Sequence, residues 1–174
     1  EEAVVESGGL PCPADDRAPP APSGVLQPIA AKVLMKILYG ARMARPDLLR
    51  AVCHAASCVT KWTEQNDQDL FRLVCYIKTT TDYKLTSWVG DKPENLRLVC
   101  YADADFAGDM RTQRSTSGVV LALSGPRTRC ILSATSRRQT CVSHSTPEAE
   151  IVSADLALRT EALPAMPLWE TVLE

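Results

Sequence analysis

Two carboxylates, Asp103 and Glu148, stand where a divalent cation could be held. Asp103 closes a short apolar run and Glu148 falls three residues after Ser145, so a strand end and the first turn of a helix would carry them. Hard oxygen ligands suit magnesium or manganese, and strand ends are rigid enough to fix their positions. Plainer roles exist for both: Asp103 could simply end a strand, and Glu148 could be the capping partner of Ser145. A second feature is cationic. Arg111, Arg114, Arg127, Arg129, Arg137 and Arg138 lie in one stretch without an acid, bracketed by Asp103, Asp105 and Asp109 before it and Glu148 and Glu150 after it. On charge grounds Arg111, Arg114, Arg137 and Arg138 are candidate phosphate contacts; a solvated arginine face explains the same pattern. The net charge of −2 gives no general attraction to nucleic acid, so distribution matters more than the sum.

Two other constellations carry less. Cys53, His54 and Cys58 match no standard zinc spacing and have no second half. The seven cysteines form no CxxC pair, and buried free thiols are expected. Ser143, His144 and Ser145 lack the G-x-S-x-G frame of a hydrolase nucleophile, and neighbours on an extended chain point apart.

The elements that must position these residues follow from periodicity. Residues 1–28 combine acids with the run Ala18-Pro-Pro-Ala-Pro-Ser-Gly24 and show no sustained period, which predicts a disordered tail. Val33, Leu34, Ile37 and Leu38 recur at helical spacing up to Arg45-Pro46. Pro46 and Asp47 suit the start of a second helix, with Leu48, Leu49, Val52, Ala55, Ala56 and Val59 as its stripe. Thr63 or Asn66 can cap a third, lined by Leu70, Leu73, Val74 and Ile77. Residues 29–90 therefore read as a small helical bundle. From residue 91 the pattern turns to strands: Leu96 to Ala102, Ser117 to Ser124, and, after the Gly125-Pro126 turn, Arg127 to Ser133. These predict an antiparallel meander. Ser145-Thr146-Pro147-Glu148 then opens a helix in which Ala149, Val152, Leu156 and Ala157 could face the sheet, with Pro164 and Pro167 ending it. The fold class is α+β.

Several blocks, in order, resemble one family. Tyr101-Ala-Asp-Ala-Asp-Phe-Ala-Gly-Asp109, Arg114-Ser-Thr-Ser-Gly118 and Ser145-Thr-Pro-Glu-Ala-Glu150 are similar to the Y-S-D-A-D-W-A-G-D, R-S-T-S-G and S-S-T-E-A-E-Y segments of the ribonuclease H domain in copia-type retrotransposons. Upstream, Ala44-Arg-Pro-Asp-Leu48 and Tyr76-Ile-Lys-Thr79 resemble its T-R-P-D-I and R-Y-L-K-G-T segments at the end of reverse transcriptase. The resemblance runs from about residue 32 to the C-terminus. It implies a helical segment over 29–90 and a partial ribonuclease H-like domain over 91–174. In that family acidic residues hold two metal ions about 4 Å apart and cut the RNA strand of an RNA–DNA hybrid. Carried over, Asp103 would bridge the metals and Glu148 would be the second ligand, with Glu150 the alternative; Asp105 and Asp109 fall to the strand-to-turn corner.

The family's next carboxylate lies in a D-N-Q-type motif on a later strand, and no counterpart precedes Glu174. Asp155 would sit about 10 Å along the helix from Glu148 and cannot replace it. With Glu1 as first residue, the expectation is an incomplete piece of a polyprotein that binds Mg2+ or Mn2+ poorly; the cofactor belongs to the complete domain. The family's tryptophan is Phe106 here, and Ser133-Ala-Thr-Ser-Arg-Arg-Gln139 stands for S-W-K-S-K-K-Q, losing an aromatic and keeping two cations. Expected partners are an RNA–DNA hybrid and the rest of the polyprotein, with neither a membrane nor a small-molecule substrate. No signal peptide or apolar run of about 20 residues is read, so an intracellular protein, cytoplasmic or nuclear, is expected. The rival from another class is a non-catalytic nucleic-acid-binding or spacer module, or a decayed relic.

Overall fold

The computed structural model describes residues 22–109 and 112–173. Residues 1–21 of the expected tail, Cys12 among them, and Arg111 lie outside the described residues. Three helices come first: α1 (Gln27–Met43), α2 (Leu49–Ser57), entered through a 3-10 turn at Pro46–Leu48, and α3 (Glu64–Thr79). Their apolar stripes meet in one core of Leu34, Leu48, Leu49, Val52, Trp62, Leu70 and Leu73. Thr63 caps α3, its N–H donating to Asn66 Oδ1 at 2.9 Å.

Residues 22–28 depart from the expected tail. Ser23 bridges Thr63, and the Gly24 N–H donates to the Trp62 carbonyl at 3.3 Å. Gly24 is required there, since a Cβ would lie 2.6 Å from the Thr63 carbonyl oxygen. The Asp67 carboxylate in α3 accepts from the N–H groups of Val25 at 2.6 Å and Leu26 at 3.1 Å, and from Trp62 Nε1 at 2.6 Å. A side chain 41 residues away thus caps the start of α1. Only a tertiary contact orders this stretch, so periodicity gave no sign of it.

The second half is a three-stranded antiparallel sheet in the order β1-β2-β3, with β1 at Arg97–Asp109, β2 at Arg114–Gly125 and β3 at Thr128–Arg138. The meander agrees with expectation, but every strand is longer. The apolar alternation stops while the ladder continues through polar pairs such as Asp105 with Thr116 and Thr116 with Arg138. Between Asp105 and Asp109 the register shifts; Ala107 takes φ 51° and its N–H donates to Ser115 Oγ at 3.1 Å. At the opposite end Asp91 holds the β2–β3 hairpin, its carboxylate accepting from the Arg127 N–H at 2.7 Å.

Helix α4 (Thr146–Ala157) packs across β1 and β2 through Ala149, Ser153 and Ala157, all buried and small enough for a close approach. The larger Val152 and Leu156 are only half-buried. Pro164 does not end the helix. A π turn at Leu158–Ala162 precedes it, in which the Leu163 N–H reaches back to the Leu158 carbonyl, and α5 (Leu163–Leu173) continues with Pro167 inside it. The wider turn shifts the hydrogen-bond frame just before a residue that has no N–H to give. Among the described residues no helix is long and apolar enough to cross a membrane.

Leu34 is fully buried at the centre of the helical core. Leu34→Ala is expected to destabilise the protein by about 2–5 kcal/mol, read from the shift of the urea unfolding midpoint.

Candidate functional site

Asp103 and Glu148 sit on elements that touch but do not bring their carboxylates together. Cross-strand partners share a face of the sheet, and successive residues alternate. Ala104 pairs with Ser117, whose hydroxyl faces α4 through Gln139; Asp103, one residue earlier, therefore projects from the opposite face. There it lines a cavity of about 510 Å3 with Pro46, Leu49, Arg50, Tyr101 and Asp105, between the sheet and α2. Asp105 is ion-paired to Arg50 at 2.9 Å. The contact between Asp103 and α4 is through its backbone: the carbonyl accepts from Ser153 Oγ at 2.6 Å.

Glu148 does what its position in a helix N-terminus allows. Its N–H donates to Ser145 Oγ at 3.3 Å, and its carboxylate accepts from the His144 N–H at 2.7 Å. Glu150 is half-buried farther along α4. Asp109 is held by Arg138 at 3.1 Å, and Asp155 by Arg159 through two hydrogen bonds. Among the described residues no three His, Cys, Asp or Glu side chains gather as metal ligands. In this conformation the residues do not fit a two-metal centre.

The arginines divide in the same way. Arg137 and Arg138 are adjacent in β3 and so take opposite faces: Arg137 pairs in register with Ser117 on the α4 side, and Arg138 with Thr116 on the α2 side. Arg114 opens β2 opposite Asp109.

Gln139 is the residue that sequence reasoning passed over. It is buried, its Nε2 donating to Ser117 Oγ at 3.0 Å and to the Ala149 carbonyl at 2.9 Å, while its Oε1 accepts from Ser143 Oγ at 3.3 Å. The run Ser133 to Gln139 offered a signal, a polar residue directly before an extended link to a helix, but its cations drew the weight. Ser143 thus serves the fold, and His144 offers its backbone N–H to Glu148. Among the described cysteines, Cys53, Cys58, Cys75, Cys100 and Cys130 are half-buried rather than buried, and Cys141 is exposed. Cys53 packs against the helical core, where burial pushes its thiol up.

The two upstream blocks that resembled the family meet in space. Arg45 forks onto Asp47 at 2.9 and 2.8 Å and reaches the carbonyl and hydroxyl of Thr80 at 2.9 and 2.8 Å. Tyr76 donates to the same Asp47 carboxylate at 3.1 Å, and the guanidinium lies 5.8 and 5.7 Å from the ring centres of Tyr76 and Tyr83. The hydrogen bond from Arg45, with that from Tyr76, holds the Asp47 carboxyl below its ordinary range.

Known proteins similar to this chain include the following two. It is 36% identical over 122 residues to the secreted RxLR effector protein 161 of Plasmopara viticola, a match covering 67% of this chain and 78% of that protein. It is 31% identical over 122 residues to the retrovirus-related Pol polyprotein from transposon TNT 1-94 of Nicotiana tabacum, covering 68% of this chain and 8% of the polyprotein. No protein-family model matches, and no solved structure matches significantly. The class is an α+β protein of retrotransposon Pol origin, as the tobacco polyprotein supports. The chain belongs to the family of the Plasmopara viticola protein, and it spans only a small part of the polyprotein's length.

Two outcomes follow from these contacts. Because its folded-state value is lowered, Asp47 adds stability at pH values above its unfolded value of about 4. That contribution fades as pH falls through the folded value. Asp47→Asn should therefore be less stable than the parent at pH 7 and converge with it at low pH, measured by urea midpoints across a pH series. Gln139→Ala leaves the Ser117 and Ser143 hydroxyls short of a buried partner and should cost about 1–3 kcal/mol, measured by the same unfolding assay at pH 7.

Proposed function

We propose that the chain is a piece of a copia-type Pol polyprotein, residues 29–90 coming from the end of its reverse transcriptase and residues 91–174 from the opening half of its ribonuclease H domain. In a complete domain Asp103 and Glu148 would ligate Mg2+ or Mn2+, and the RNA strand of an RNA–DNA hybrid would be hydrolysed. The observation that carries this reading is an order: a three-strand meander, then a helix returning across β1, with the two acids on β1 and in that helix's first turn. The meeting of Arg45 and Asp47 with Tyr76 adds support from the upstream blocks.

One observation favours a second reading for this chain as folded, that of a non-catalytic module. Asp103 projects toward α2, and the Glu148 carboxylate is turned back on the His144 N–H. A shared cation would require Glu148 to leave that bond and the two side chains to meet across the edge of the sheet.

The test is hybrid cleavage by the 174-residue chain with Mg2+ and with Mn2+, beside Asp103→Asn and Glu148→Gln. The expected result is no metal-dependent cleavage above the level of the variants. Cleavage that needs metal and disappears in both variants would overturn the non-catalytic reading and establish the nuclease.

A further inference from the structure

We infer that the cleft between the end of β3 and the flank of α4 is a phosphate-binding site, with Arg137 and Arg159 as its cationic arms. The cleft has a volume of about 220 Å3, and its lining includes Arg137, Arg138, Thr140, Asp155, Arg159 and Thr160. It is smaller than the roughly 300–1,000 Å3 of small-molecule sites, which suits a compact anion rather than a whole nucleotide.

Three arginines and one aspartate belong to the lining of this cleft, and the arginines are not equivalent. Arg138 is engaged by Asp109 from the other face of the sheet. Arg137 is exposed, and its guanidinium has no ion pair or hydrogen bond among the described residues. Arg159 is held by Asp155, but both side chains of that pair are more than half exposed, at 68% and 55%. An exposed pair of this kind contributes little and is screened by salt, so Arg159 can turn to an anion at small cost. A phosphate between Arg137 and Arg159 would take charge-assisted hydrogen bonds from two planar forks, the geometry for which guanidinium is best suited. Thr140 belongs to the same lining.

This arrangement departs from the pairing that the sequence suggests. Arg137 and Arg138 are neighbours in the chain and both touch the cleft, but the guanidinium of Arg138 is committed to Asp109, whereas Arg137 and Arg159, 22 residues apart, leave theirs to a ligand. The ligand chemistry is a phosphate group, free or within a nucleic-acid backbone; the second source rests on the nucleic-acid reading proposed above.

The experiment uses the full chain with two probes: inorganic phosphate, followed by 31P NMR, and a fluorescently labelled RNA–DNA hybrid, followed by anisotropy over a salt series. Arg137→Ala and Arg159→Ala are compared with Arg127→Ala, an exposed arginine in the β2–β3 turn. Each cleft variant should weaken binding about fivefold or more and reduce the salt slope for the hybrid by about one, with Arg127→Ala near the parent. Phosphate binding lost in Arg137→Ala without any hybrid binding would support the site and overturn the nucleic-acid reading. Hybrid binding equally affected by all three variants would overturn the site and leave that reading standing. Binding of neither probe would overturn both.

Discussion

The side-chain amide of Gln139 gives its two protons to β2 and to α4 and takes one from the loop between β3 and α4. Everything in the second half depends on this convergence. At this interface α4 presents small buried residues, Ala149, Ser153 and Ala157, to a sheet face that carries Ser117, Val119 and Leu121. A helix held by so few methyl groups is free to slide and roll unless a directional contact fixes it. Gln139 supplies that contact at one end, the Ser153 hydroxyl on the Asp103 carbonyl supplies it in the middle, and Glu161 accepting from Ser133 and Thr135 supplies it at the far end. These three links set the orientation of α4, and with it the side of the sheet on which Glu148 begins.

That orientation decides how the acids are used. A strand shows alternate residues to opposite faces, so placing Ser117 and Ala104 toward α4 commits Asp103 and Asp105 to the α2 side. Arg50 then meets Asp105, which adds an ion pair to a boundary where Ala134 of β3 packs against the helical core. On the helical side the equivalent organiser is Arg45, whose planar group satisfies a carboxylate, a carbonyl and a hydroxyl while lying near two tyrosine rings.

The helices and the meander were legible because their signals are local. Leu34 with Ile37 and Leu38, and Leu70 with Leu73, announce two helix faces by spacing alone, and Gly125-Pro126 announces a turn by its backbone preferences. The strand ends were not legible, since Asp105, Thr116 and Arg138 extend the ladder with side chains that carry no apolar alternation. Residues 22–28 were not legible either, because the carboxylate that orders them belongs to α3. For the site, the types and positions of Asp103 and Glu148 could be read, but the face that each would take could not. That depends on which face of the sheet α4 covers, and one of the contacts that hold α4 there comes from Gln139, a residue whose burial has no periodic signature.

The two halves also differ in what they hide from water. The helical core buries leucines, a valine and a tryptophan, whereas much of what the sheet and α4 bury is serine, threonine, alanine and glutamine. Exposing apolar surface raises heat capacity and exposing polar surface lowers it. Most of the heat-capacity increment of unfolding therefore comes from residues 22–80. Cooling therefore weakens the contribution of the helical core more than that of the hydrogen bonds that tie α4 to the sheet.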